Sequence, residues 1–364
     1  MAKKKPNYKF RRNLAKAFLV LIIIIPIVLI NRVKLAHLPL YLSNTKYTDI
    51  IDAMFEVQYT GSEAKNTLNY LKEKKKINDN TDDYILKLYD KGYNKNTIDY
   101  LIRNLNKSQI TDFLDKKYSK DFEEYIKLDL FKYSKYNRYL KYQEKHKDLS
   151  LEDVVIRIEL NMDKTYYEDS EFIKNPDEIT TLANKYYEIP EDYEPKDLVD
   201  MEDDYANNMY GTLTLRKEAY EKFKEMCNAS RQDGVKFYAE SAYRGYNYQN
   251  IIYKNYIDEN GQEKADKYAA RPGFSEHELG LALDLANIWT ITTKGEEYKW
   301  LTKNAYKYGY IIRYKKEWED ITGYSAESWH IRYVGVKAAS VIQKENITYE
   351  EYYAKYILTK KSSK

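Results

Sequence analysis

The 364-residue chain has a single cysteine, Cys227. A lone thiol closes no intramolecular disulfide, and a cysteine-based metal cluster is excluded. Its setting after "YEKFKEM" reads as a buried structural thiol on a helix. Glycine and proline are scarce, at 12 and 7 positions, which excludes a linker-rich or disordered protein. Histidine occurs only four times, at His37, His146, His277 and His330. Acid is missing altogether from residues 1–34, which hold nine of the 60 Lys/Arg. The other 51 basic residues face 57 acidic ones, so the body is mildly acidic and offers no basic patch fit for a phosphate backbone. Nucleic acid is not an expected partner.

What the chain has in abundance is tyrosine, at 41 positions. Tyrosine packs its ring face and keeps its hydroxyl wet. Basic residues up to Lys16 precede "AFLVLIIIIPIVLI" at 17–30, an unbroken apolar run. Fourteen residues are short against the roughly 17–25 of a spanning helix, but flanking residues extend the reach. No small-residue cleavage site follows. Residues 1–34 are therefore expected to be a cytoplasmic tail and an uncleaved signal-anchor helix, with a cleaved signal peptide as the alternative. Either places the body outside the membrane, so the expected location is the cell membrane, single-pass, with the working domain extracytoplasmic.

Residues 31–45 read as a juxtamembrane connector, and 46–165 as an α-helical arm of short helices. Within 81–114, Thr81 is the expected N-cap, Ile85, Leu88 and Tyr89 form an apolar stripe, and Gly92 suits the C-terminus. Asn96 or Thr97 then restarts a helix carrying Ile98, Leu101, Ile102 and Leu105. A weak repeat carries Ile85, Tyr93 and Tyr100 to Ile110, Tyr118 and Tyr125, 25 positions later, as stacked helical hairpins would. No catalytic constellation appears here. His146 reads as a solvated helix residue, and a spacer or interaction arm with no identified partner is the expectation.

Three prolines between 175 and 200 mark extended chain leading into a new domain. "TLRKEAYEKFKEMCNASRQDG" then predicts an amphipathic helix closed by Gly234. Strands are predicted at 235–244, 281–288 and 329–335. A helix with Tyr248, Ile251, Ile252 and Tyr256 and another at "WLTKNAYKYG" intervene. The expectation is an α+β domain over 175–350, a small antiparallel sheet flanked by helices.

The chemistry centres on "FSEHELGLALDL", 274–285. A zincin H-E-x-x-H reading fails, because Leu281 stands four after His277. A catalytic zinc takes three protein ligands and keeps a fourth position for water. Without a usable cysteine, the candidates are histidines and carboxylates. His277 and Asp284 flank "ELGLAL", where Gly280 allows a tight turn into the Asp284 strand, and His330 in "AESWHIRY" completes a His/Asp/His set. The competing reading is two structurally satisfied histidines and an unrelated surface aspartate. Glu327, three before His330, is placed to serve as a general base that later protonates a leaving amine. Arg244, just past a strand in "ESAYRGYNYQ", offers a fork matched to a carboxylate. Metal, base and clamp together describe an enzyme that cuts beside a free C-terminus.

The blocks "SAYRGYNYQNIIYKNY", "ADKYAARPGFSEHELGLALDL" and "ITGYSAESWHIRYVG" resemble the three signature blocks of the VanY-type D-alanyl-D-alanine carboxypeptidases, zinc peptidases that trim peptidoglycan stem peptides. "NKYYEIPEDYEPKDLV" followed by "LRKEAYEKF" is similar to that family's opening segment, so the resemblance covers about 180–340. It implies that His277, Asp284 and His330 bind Zn2+ and that Glu327 is the catalytic base. It also implies that Arg244 holds the substrate's terminal carboxylate, with Gln249 and Ser275 holding substrate backbone. Three positions depart from the family pattern: "SAYR" for S-G-Y-R, Ala269 for a common serine and Ser328 for a common proline. They bear on pocket shape and substrate preference. The expected function is a zinc-dependent carboxypeptidase removing the C-terminal D-alanine from stem peptides. An L,D-carboxypeptidase acting on tetrapeptide stems is the close alternative. From other classes come a non-catalytic cell-wall-binding module and a membrane scaffold working through the arm. Tyr253, Tyr256 and Trp289 either line the pocket or, as tyrosine abundance favours, pack in the core.

Overall fold

The computed structural model describes residues 32, 34–209, 211–285 and 292–359. The apolar run at 17–30 and Trp289 lie outside the described residues. Among the described residues no helix is long and apolar enough to cross a membrane. The chain divides into two compact units, residues 1–127 and 128–364. That boundary falls inside the expected 46–165 arm, so the helices Tyr136–Lys145 and Leu151–Glu159 belong to the second unit.

The first unit is built of short helices, including Gly61–Glu73, Thr81–Asp90, Lys95–Asn104 and Lys107–Asp115. Thr60 with Glu63, and Asn106 with Gln109, close reciprocal capping boxes that satisfy orphan backbone donors. Two expected caps move. Thr81 is the first helical residue, its hydroxyl locked onto Asn78, which both donates to and accepts from it. Asn94, not Asn96 or Thr97, caps the next helix: its extended backbone lets Oδ1 accept from the N–H groups of both those residues. Ile85 and Leu88 are buried, but Tyr84 completes their face, while Tyr89 is 38% exposed. Gly92 adopts a left-handed φ of 106° behind the helix end, as expected. The 25-residue repeat is copied only in part. Ile85 and Ile110 are both buried, whereas Tyr93 is buried and Tyr118 exposed.

In the second unit, His146 sits at the C-cap of Tyr136–Lys145 rather than inside a helix, its ring stacked on Tyr142 at 4.2 Å between centroids. Two small sheets precede the main one: β1 (Glu171–Phe172) pairs parallel with β2 (Tyr187–Glu188), and β3 (Leu198–Asp200) antiparallel with β4 (Thr214–Arg216). The main sheet is antiparallel in the order β5–β6–β8–β7, with β5 at Ala239–Ser241, β6 at Ala282–Leu285, β7 at Tyr310–Tyr314 and β8 at Glu327–Tyr333. The fold is helix-rich α+β. The strand expected over 235–244 contracts to three residues, β8 starts two residues earlier than expected, and β7 was not foreseen.

Period-two alternation gives the main sheet two different faces. Leu283, Leu285, Ile331 and Tyr333 point into a core with Phe223, Met226 and Cys227 of the helix Lys217–Gln232. Each such buried side chain stabilises by about 1.5–3 kcal/mol. Cys227 is fully buried, and burial pushes its thiol up to about 12, so it is the structural thiol its setting suggested. Asp284, His330 and Arg332 alternate onto the opposite face.

Gly280 joins the 3-10 turn Glu276–Leu279 to β6 with φ 63°, in the left-handed region that suits glycine. A Cβ there would lie 3.0 Å from both Arg216 Cγ and Leu198 Cδ2. Gly280→Ala should lower stability by about 1–3 kcal/mol in a denaturant titration. An unchanged midpoint would mean that this turn does not constrain the two residues it joins.

Candidate active site

The site is assembled by one turn and one strand pair. Ser275 caps the 3-10 turn: its Oγ accepts the His277 N–H, and the Glu278 carboxylate accepts from the N–H groups of Ser275 and Gly273. That lattice fixes the backbone of His277. Asp284 and His330 face each other as register partners on β6 and β8, although 46 positions separate them in sequence. One donor atom from each of His277, Asp284 and His330 lies within 4.8 Å of the others. His277 Nε2 is 3.3 Å from Asp284 Oδ2, and His330 Nδ1 is 3.1 Å from Asp284 Oδ1.

The tautomer of His277 follows from its neighbour. Nδ1 lies 2.6 Å from the Ala242 carbonyl oxygen, which can only accept, so Nδ1 carries the hydrogen. Nε2 is then a bare lone pair, buried, with no hydrogen-bond partner and turned towards Asp284. His330 presents Nδ1 to the same aspartate while Nε2 lies 3.6 Å from Glu276 Oε2. A carboxylate behind a ligating imidazole is the arrangement that orients it. Two imidazole nitrogens and a carboxylate oxygen, with an open side towards a cavity, form a donor set that fits zinc. These three residues would hold the ion.

The electrostatics separate the groups. Burial, then the Arg244 guanidinium, lowers His277 to about 4, so it is neutral and able to donate its lone pair. Burial works against charge on His330 too, but Asp284 and Glu276 outweigh it and raise this ring to about 9. Asp284, despite burial, is held well below the usual carboxylate range by His277, His330 and Arg244. Glu327 goes the other way, pushed up to about 7 by burial and by the Asp284 charge. Two carboxylates in one pocket thus differ sharply in proton affinity, the condition under which one serves as ligand and the other as acid and base.

All seven residues singled out in the sequence meet in or at one cavity of about 430 Å3. Glu327 Oε2 is 3.5 Å from His330 Nδ1. Arg244 donates from Nη1 to Asp284 Oδ2 at 3.1 Å and to Ser241 Oγ at 2.7 Å, and from Nε to Gln249 Oε1 at 3.0 Å. Gln249 is buried, and its amide is used at both ends, since Nε2 donates to the Ala270 carbonyl. It braces Arg244. Tyr256, Tyr314, Tyr324 and Trp329 add aromatic walls. Tyr256 is therefore a wall residue, whereas Tyr253 packs with Ala265 and Ala269 and donates to Asp266. Sequence reasoning passed over Glu276, which stands one position before His277 and is fully buried behind His330. The signal was adjacency alone, which a chain with 32% charged residues makes unreadable.

Comparison with known proteins places this chain in a family. The family model VanY, described as D-alanyl-D-alanine carboxypeptidase, matches residues 212–336. A Bacillus subtilis (strain 168) protein that is by name a carboxypeptidase, YodJ, is 41% identical over 211 residues, which span 54% of this chain and 77% of that protein. A D-alanyl-D-alanine carboxypeptidase of Enterococcus faecium is 36% identical over 177 residues, 47% of this chain and 56% of its own length. Among solved structures, the LdcB LD-carboxypeptidase is 41% identical and covers 52% of this chain and 92% of its own, with a TM-score of 0.48. The chain is a peptidase and belongs to the VanY-type D-alanyl-D-alanine carboxypeptidase family.

Proposed function

We propose that this protein is a zinc-dependent D,D-carboxypeptidase that removes the C-terminal D-alanine from peptidoglycan stem peptides. The observation that carries the reading is the convergence, in one cavity, of the His277–Asp284–His330 triad, a half-buried carboxyl on Glu327 and a guanidinium on Arg244. The name of the Enterococcus faecium relative supports the D,D preference. We also propose that residues 1–34 anchor the chain in the cell membrane with the peptidase unit extracytoplasmic. The basic flank and apolar run at 17–30 support this.

Zinc at the triad supplies Lewis-acid chemistry, polarising a carbonyl and acidifying water. The chain's own residues do the rest. Arg244, braced by Gln249 and Ser241, pairs with the free carboxylate of the last residue and so sets which peptide bond lies over the triad. Ser275 keeps its hydroxyl hydrogen free to meet the substrate, since its oxygen serves as acceptor in the turn. Glu327 takes the proton of the attacking water and returns it to the departing amine. An affinity near 7 suits a group that must do both at neutral pH.

Mass spectrometry of the full chain with zinc and muropeptides should show one D-alanine lost from pentapeptide stems. Loss from tetrapeptide stems alone would make the enzyme an L,D-carboxypeptidase, and no loss from either with zinc bound would make it a wall-binding module. Glu327→Ala should cut kcat by about 100- to 10,000-fold. Arg244→Ala should raise KM at least about 10-fold with a smaller change in kcat, and an unaltered KM would sink the clamp assignment.

A second test uses protons. His330 is raised to about 9 in the metal-free chain, so at pH 7 its proton must leave before the ring can bind metal. Zinc affinity should rise with pH up to about 9, and calorimetry in buffers of different ionisation enthalpy should register about one proton released per zinc. Zinc uptake without proton release would place the ion away from His330.

A further inference from the structure

Behind the cavity, four charged side chains with almost no solvent exposure close on one another. Glu276, Arg313 and Arg332 are 0% exposed and Glu350 is 1% exposed. Arg313 donates from Nε to Glu276 Oε1 at 2.9 Å, and its two terminal nitrogens fork onto the Glu350 carboxylate at 2.9 and 2.6 Å. Arg332 Nη1 lies 3.4 Å from the same Glu276 oxygen, while its other nitrogens donate to the carbonyls of Ile179, Thr181 and Tyr333. Asn184 Nδ2 donates to Glu350 Oε1 at 3.3 Å. Two cations balance two anions.

Two atoms of this set have no hydrogen-bond partner, and one of them, Arg332 Nη1, still faces the Glu276 Oε1 charge. Glu276 Oε2 has no hydrogen-bond partner and lies 3.6 Å from His330 Nε2, which has none either. Of the two, Glu276 Oε2 is the atom turned out of the set, and it faces the back of a proposed zinc ligand. The helix Tyr349–Tyr352 that carries Glu350 is held by the Thr348–Glu351 capping box and lies beyond the 212–336 span of the family match.

We propose that Glu350 is a positioning residue of the metal centre. Through Arg313 it fixes the Glu276 carboxylate, whose free oxygen orients the His330 ring so that Nδ1 faces the metal. The inference rests on the zinc reading of the triad. Its logic is geometric and electrostatic. An arginine fork is planar, so holding two of its nitrogens on Glu350 sets the direction of the third. Removing the Glu350 charge leaves the set one positive charge in excess behind a divalent cation, and it frees Arg313 to swing Glu276 off His330.

The test measures zinc affinity by chelator competition on the full chain and on E276Q, E350Q and the double variant, with thermal melts of each metal-free protein. E276Q should weaken zinc binding about 10- to 100-fold and E350Q about 3- to 10-fold. The E350Q loss should shrink in the E276Q background, because the part of it that runs through the Glu276 carboxylate is gone. A lower melting temperature with unchanged zinc affinity would make Glu350 merely structural and overturn the proposal. An equal loss in both backgrounds would also overturn it. If E350Q does not fold, R313K keeps the charge and loses the fork, and retained wild-type affinity in that variant overturns the proposal. Wild-type protein that binds no zinc would instead reject the zinc reading beneath it.

Discussion

Burying charge is the constraint on which this structure turns. Glu276 lies with no exposed side-chain surface behind a histidine, and a carboxylate in that position is tolerable only with cations against it. Arg313 and Arg332 provide them, and Glu350 restores the balance. Removing one member of such a set costs about 3–5 kcal/mol, because a lone charge is left in low dielectric. The 3-10 turn, β7, β8 and the helix Tyr349–Tyr352 are therefore held in one relation. His330 sits against that assembly and inherits its rigidity.

The chemistry on the cavity side follows from topology laid over this base. An antiparallel register makes Asp284 and His330 neighbours, and the opposite face of the same strands fills the core with Leu283 and Ile331. A slip of either strand by one residue would send its ligand to the core face, so hydrophobic patterning helps to protect the site. The register shift between Ile312 and Tyr314 makes an irregularity in β7 beside the site. Arg313 there reaches Glu276, while the Tyr314 ring lies 4.9 Å from that of His330. Packing and catalysis thus share a few residues of one small sheet.

Much of the site was legible because its residues are rare types in short motifs. Four histidines in 364 residues leave few ways to build a His/Asp/His set, and two short motifs carry it, "SEHELGLALDL" with His277 and Asp284 and "ESWH" with Glu327 and His330. The supporting charges were not legible. Nothing in "YIIRYKKEWED" or "ITYEEYY" marks Arg313 or Glu350 as buried, and only the fold shows the two face to face. Gln249, expected as a substrate contact, lines the cavity, and its further part as a brace for Arg244 shows only in the fold. Helix existence in the first unit was readable from periodicity, while the caps at Asn94 and Thr81 slipped because several Asn and Thr stood within reach of each start. β7 escaped notice because its buried arginine breaks the alternating pattern that announces a strand.

X-ray absorption at the zinc edge, on the full chain loaded with one equivalent of zinc, tests most directly whether the triad is the centre of this protein. The account predicts two imidazole nitrogens at about 2.0–2.1 Å and a carboxylate oxygen at about 2.0–2.2 Å, with one imidazole lost in His330→Ala. A spectrum without two imidazoles, or one that His330→Ala leaves unchanged, would contradict it.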